Sequence, residues 1–265
     1  MSALQRPGRR LFALIIASSL IGAASLPARA APKIAAASDL QFALTEVAEA
    51  FRRETGDDVL VTFGSSGNFY RQIRQGAPFE LYLSADEQFV LDLAADGFTI
   101  GEGALYAIGR IVIITPEGSP VAADSGLTDL RAALADGRLD KFAIPNPEHA
   151  PYGGRAREAL RHAGLWEALA PRLVLGENVS QAAQFATSGS TQGGIIAYSL
   201  ALSKNVSALA SFALIPASWH SPLRQRMVLL KQAGDSAKAF YGFIRGPRGR
   251  AILERHGFTP PGGTP

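Results

Sequence analysis

Short apolar runs alternate with amphipathic stretches along this chain, and the change-overs fall at loops rich in Ser, Gly and Asp. KIAAA (33–37) reads as a buried strand. Ser38-Asp39 follows, then a helix-spaced set, Leu40, Leu44, Val47, Ala48 and Phe51, which Gly56 stops. DVLVTF (58–63) is a β-branched strand that leads through GSSG (64–67) into a short helix ending at Gly76. FELYLSA (79–85) is a third strand, with Asp86 placed to cap a helix bearing Phe89, Val90 and Leu93. Three strand–loop–helix units in succession predict a mostly parallel, doubly wound sheet, because parallel neighbours need crossover helices.

The second half repeats the layout. RIVIITP (110–116), KFAIPNP (141–147), RLVLG (172–176) and GGIIAY (193–198) read as strands, with helices at 127–136, 153–163 and 179–187. An extended segment, RMVLLK (226–231), precedes a last helical piece at 236–255. Two α/β layouts in one chain predict two lobes. With 47% hydrophobic residues and no cysteine, the chain draws its stability from packing. The lack of cysteine also excludes a disulfide scaffold, a thiolate metal site and a catalytic thiol.

Arg6, Arg9 and Arg10, the apolar run over 11–26 and Ala28-Arg29-Ala30 together read as a cleaved export signal ending near Ala30. The run is shorter than the ~20 residues a membrane span needs; an uncleaved anchor is the alternative. The segment holds four of the 26 basic residues and none of the 23 acidic ones, so its removal turns a formal charge of +3 into −1. A nucleic-acid partner then has no electrostatic basis. The basic stretches at 224–234 and 243–250 lack interleaved aromatics and read as solvated faces.

Ser38, Ser65 and Ser66 all lie where a strand gives way to a helix. There the first backbone N–H groups have no partner within the helix and the dipole is positive, so an anion could take N–H and hydroxyl donors together. Ordinary helix capping is the competing reading. NPEHAPYGG (146–154), ENVS (177–180) and AYSLALS (197–203) are placed similarly, and ligands of open α/β sheets sit at such strand ends. An enzyme reading would join His149 to Ser66 and Asp39 as a nucleophilic triad, making the chain an exported serine hydrolase. No G-x-S-x-G, H-E-x-x-H or phosphate-loop motif supports it. Glu148-His149 has no evident further metal ligands, and His162 and His256 read as solvent-facing.

Four runs in order carry a resemblance: KIAAASDLQFALTEVAEAFRRETG, VTFGSSGNFYRQIRQGAPFELYLSADE, PNPEHAPYGGRAREALRHAG and FYGFIRGPRGRAILERHGF. From about Lys33 to Phe258 the chain resembles the periplasmic molybdate-binding proteins of bacterial ABC importers. The resemblance implies an α/β, two-lobed periplasmic binding protein fold, with two sheets, a cleft and two crossovers. It places 31–108 and 223–265 in one lobe and 109–222 in the other. It implies a monomer that carries molybdate or tungstate to a membrane permease. No cofactor is implied, and no metal cation: hydroxyls and backbone N–H groups hold the oxyanion. By motif the donors are Ser38, Ser66 and the N–H groups of Tyr152 and Val179, with Ser65, Tyr198 and Ser199 as further candidates. Members of that family place a tyrosine hydroxyl on the anion from a loop reading G-I-V-Y-G-S-D-A. Here Ala197 stands at that position and Tyr198 is one residue later.

A site of donors alone suits a fully deprotonated tetrahedral dianion and disfavours hydrogen phosphate, whose proton needs an acceptor. A receptor for sulfate or another tetrahedral oxyanion is the alternative.

Overall fold

The computed structural model describes residues 1–2 and 30–263, so the expected export signal lies outside the described residues except at its ends. Among the described residues, no helix is long and apolar enough to cross a membrane. The compact unit that begins at Ala31 contains ten strands. These are β1 (Lys33–Ala37), β2 (Leu60–Gly64), β3 (Leu81–Ser84), β4 (Ala104–Gly109), β5 (Ile111–Pro116), β6 (Phe142–Pro145), β7 (Leu173–Gly176), β8 (Gly194–Ala197), β9 (Ala210–Leu214) and β10 (Leu223–Leu229).

They form two five-stranded sheets, ordered β2-β1-β3-β10-β4 and β7-β6-β8-β5-β9. Both sheets are mixed. β1 runs parallel to β2 and β3, whereas β10 is antiparallel to β3 and β4. In the second sheet β6 is parallel to β7 and β8, and β5 is antiparallel to β8 and β9. The parallel parts are those that the strand–loop–helix units predict. The antiparallel parts come from the segments where the chain changes sheets. Only Arg110 separates β4 of one sheet from β5 of the other, and residues 215–222 carry the chain back from β9 to β10.

β4 and β9, not anticipated from sequence, lie at sheet edges; β9 has no buried residue, β4 mixes buried and partly buried ones, and neither shows a clean alternation. The last helical piece is two helices, Asp235–Arg245 and Pro247–Arg255, because Pro247 lacks the N–H that a continuing helix would use.

Packing explains the sequence pattern. Ile111 to Ile114 of β5 are each fully buried, as expected for a strand covered on both faces. In the first lobe Leu44, Val47 and Phe51 turn one face of helix Gln41–Thr55 onto the sheet, with Leu40 just ahead of the helix in the same core. Phe51 meets Phe240 edge-on, with centroids 5.2 Å apart. Gly56 ends that helix at φ 78°, where its N–H reaches Arg52 O, a left-handed turn that a side chain would resist.

Candidate functional site

The parallel strands of both sheets deliver their carboxyl ends to one place. After β1 the chain turns into a short 3-10 helix, Ser38–Leu40; after β2, into helix Ser66–Arg74. From the second sheet, the loop after β6 enters helix Pro151–His162 and the loop after β7 enters helix Val179–Thr187. These junctions enclose a cavity of about 10 Å³ lined by Ser38, Asp39, Ser65 and Ser66 from one lobe and Pro151, Tyr152 and Val179 from the other. That is about the space of a single water, which needs some 10–15 Å³ on the same measure, so a larger guest needs the lobes to part slightly. No Lys or Arg is among the lining residues.

Ser66, Tyr152 and Val179 each stand in the first turn of their helix, so their N–H groups have no acceptor one turn back. Pro151 at the first helical position has no N–H of its own, which makes Tyr152 the first donor of that helix. The Ser38 hydroxyl accepts from Ser180 N–H at 3.3 Å, and the Ser66 hydroxyl accepts from Ala85 N–H at 3.0 Å. Each hydroxyl therefore keeps its own hydrogen to donate. Thus Ser38, Ser66, Tyr152 and Val179, named from sequence, meet at one cavity.

The other candidates have different surroundings. Ser65 lines the cavity, but its hydroxyl donates to His149 O at 2.6 Å and lies 3.0 Å from His149 Nδ1. With that hydrogen spent on a carbonyl, Nδ1 must donate to the serine, the reverse of a general base. The Ser199 hydroxyl donates to Asp39 O at 2.8 Å, tying the second lobe to the first. Tyr198 packs its ring toward Phe212, at 6.0 Å between centroids, and against the space beside Gly257. It is not among the cavity residues.

The triad that sequence placed on paper does not assemble. His149 sits on Ser65, not Ser66, and its Nε2 lies 3.5 Å from Glu177. Asp39 points elsewhere: its Oδ2 accepts from Tyr152 OH at 2.9 Å and from Gln225 Nε2 at 2.6 Å. Gln225 Oε1 in turn accepts from Tyr106 OH at 2.7 Å. Burial pushes the Asp39 carboxyl up to about 6, against the opposing pull of its Gln225 and Tyr152 hydrogen bonds. The Tyr152 hydroxyl is held well above its ordinary value, by burial first and then by the Asp39 charge. His162, exposed, stacks on Trp219, whereas His256 is partly buried, with Nε2 2.9 Å from Glu46.

Sequence reasoning missed two features. Asp39 lines the cavity yet turns its carboxylate to Tyr152 and Gln225, and Gln225 is a fully buried polar residue on β10. The only signal for Gln225 was an amide beside an apolar run; its partners come from three distant segments.

Two sheet-built lobes joined by two crossovers, with helix amino ends from both meeting at one small cavity, define a solute-binding architecture rather than a single-sheet α/β domain. The chain belongs to the bacterial extracellular solute-binding protein family, whose profile matches residues 32–259. It is 35% identical to the molybdate-binding protein ModA of Rhodobacter capsulatus over 247 residues, 92% of this chain and 94% of that one. Against ModA of Escherichia coli strain K12 it is 33% identical, covering 84% of this chain and 87% of the relative. The solved periplasmic molybdate-binding protein of Azotobacter vinelandii superposes with a TM-score of 0.78 at 30% identity, over 87% of this chain and 99% of that one. The sulfate-binding protein SubI of Mycobacterium tuberculosis H37Rv, at TM-score 0.72 and 16% identity over 87% and 86% of the two chains, shares the fold alone.

Proposed function

We propose that this chain captures molybdate or tungstate in the periplasm, after export under the signal at 1–30, and delivers it as a monomer to the membrane permease of an ABC importer. The observation that carries this reading is the convergence of Ser38, Ser66 and the N–H groups of Tyr152 and Val179 on one small cavity without a Lys or Arg. A tetrahedral oxyanion brings only acceptors, and helix amino ends with serine hydroxyls supply only donors. Relatives covering nearly the whole chain bind molybdate by name. The crossovers at Arg110 and at 215–222 serve as hinges between a lobe of 31–108 with 223–265 and a lobe of 109–222. The anion gains its full donor set only when the lobes close, which gives the permease a liganded form to recognise.

Calorimetric titration of the chain from Ala31 onward against molybdate, tungstate, sulfate and phosphate tests this. Molybdate and tungstate bind one per chain and more tightly than sulfate. Equal or tighter sulfate binding would replace the assignment with a sulfate receptor, and no binding of any of the four would end the oxyanion reading.

A further inference from the structure

Behind the cavity lie a guanidinium and two carboxylates that the donor set does not use. Arg155 stands three residues after Tyr152 on helix Pro151–His162. Its Nη1 donates to Glu158 Oε1 at 2.6 Å, and its Nη2 donates to Asp86 Oδ2 at 3.2 Å. Asp86 follows Ala85, which lines the cavity and donates its N–H to the Ser66 hydroxyl at 3.0 Å. The pair therefore joins the helix that carries Tyr152 to the segment that buttresses Ser66.

Among the described residues, Asp86–Arg155 is the one ion pair that crosses from the segments of the first sheet to those of the second. Every other pair stays within 31–108 and 223–265, or within 109–222. By contrast, Ser180, Ser199 and Tyr152 cross the same gap with neutral hydroxyls. The two charged side chains are 17% and 27% exposed, so solvent screens them less than it screens a surface pair.

The surroundings single out this pairing. Glu87, next to Asp86, is held by Arg224 and Arg226, which leaves Arg155 as the cation on Asp86. Arg155 Nε is buried with no hydrogen-bond partner among the described residues, a desolvation cost borne in reaching both carboxylates at once. Glu158 Oε2 accepts from Ser221 N–H at 2.6 Å, which fixes the carboxylate that orients Arg155 to the crossover at 215–222. Against the upward push of burial, that N–H and the Arg155 charge hold the Glu158 carboxyl below its usual range.

Building on the oxyanion reading of the cavity, we propose that Arg155 is a positioning residue for capture: its pairing with Asp86 forms as the lobes meet, brings the Tyr152 N–H and the Ser66 hydroxyl onto one anion, and sets how long the anion is held. Arg155 is not among the lining residues, so it acts through these two donors and not on the anion itself. Glu158 makes the contact reversible. When the lobes part, Asp86 returns to water while Arg155 keeps Glu158, so no half-buried charge is left unpaired and opening carries only a small electrostatic cost.

The test is stopped-flow association and release of molybdate by the chain from Ala31 onward, in the parent, Arg155→Gln, Asp86→Asn and the double variant. Asp86→Asn keeps a side-chain oxygen for the Gln88 N–H that Asp86 caps at 3.0 Å, and Arg155→Gln leaves Glu158 on Ser221. Each single variant should release molybdate about fivefold faster with association within about twofold of the parent, and the double variant should be no faster than the singles. Parent-like release in either single variant overturns the inference. So does multiplication of the two effects in the double variant, the mark of residues that do not act as a pair. Arg155→Lys keeps the charge without the planar fork and should fall between the parent and Arg155→Gln. Should Arg155→Gln not fold, parent-like release by Arg155→Lys overturns the inference. No molybdate binding by the parent would overturn the oxyanion reading, and this inference with it.

Discussion

The hydroxyl of Tyr152, carried by the second lobe, donates to Oδ2 of Asp39, carried by the first, at 2.9 Å. The same tyrosine lines the cavity and stands in the first turn of its helix, so one residue borders the proposed anion site by its backbone and bridges to Asp39 by its side chain. Room for the ring exists only because Gly109 lacks a side chain. A Cβ there would lie 2.4 Å from the Tyr152 hydroxyl and 2.8 Å from Gln225 Nε2.

Tyr152→Phe removes that bond and leaves Asp39 and Gln225 each short of a buried partner, a loss of about 1–3 kcal/mol. In the proposed hinge closure the bond forms as the lobes meet, so the loss should fall on affinity. Titration with molybdate should show about tenfold weaker binding or more, and stopped-flow release should be correspondingly faster. Affinity equal to the parent's would mean that closure does not draw on this contact.

Ser38→Ala and Ser66→Ala should each weaken molybdate binding by about 1.5–3 kcal/mol, since each deprives a buried anion of one charge-assisted donor. Denaturant unfolding without anion should show a loss of about 1–3 kcal/mol for Ser66→Ala, which leaves the Ala85 N–H without its acceptor, and less for Ser38→Ala, because the Ser180 N–H also has Asn178 as an acceptor. Parent-like affinity in both variants would reduce these serines to acceptors for the Ser180 and Ala85 N–H groups and move the anion elsewhere.

Gly67→Ala tests closure from the other side of the cleft. The Gly67 N–H donates to His149 O at 3.0 Å, and a Cβ on Gly67 would lie 2.6 Å from that same oxygen. The added methyl must push the His149 loop away, while alanine suits a helix better than glycine. Stability of the anion-free protein should hold or rise as affinity drops at least tenfold. X-ray scattering with saturating molybdate should give a larger radius of gyration than the liganded parent.

Tyr198 is a packing residue. Its ring lies beside Phe212 and the Gly257 backbone, away from the lining residues. Tyr198→Phe should leave molybdate affinity within twofold, whereas Tyr198→Ala should cost about 2–3 kcal/mol in thermal or denaturant unfolding through the cavity left behind. A tenfold loss in the phenylalanine variant would make its hydroxyl an anion donor after all.

Much of this was legible in the sequence because it is local. The run KIAAA, the helix spacing from Leu40 to Phe51 and the continuous apolar stretch Ile111–Ile114 announce buried strands and amphipathic helices through periodicity alone. The strand-to-helix serines and glycines mark where N–H groups are left without helical partners, which singled out Ser38 and Ser66 before any coordinates; Tyr152 and Val179 were named through the resemblance to the family's motifs. The edge strands β4 and β9, the antiparallel placement of β5 and β10 and the break at Pro247 depend on which segments end up as neighbours, or turn on a single residue inside a longer pattern. The tertiary structure alone decided the roles of Asp39, Gln225 and His149. A side chain's partner is set by what the fold brings within about 3 Å, and Gln225 lies 186 residues from Asp39, as Tyr152 lies 113. Sequence pointed to donors at strand ends because such ends are local; folding alone turned the buried Asp39 carboxylate beside them to Tyr152 and Gln225, partners that no local pattern could name.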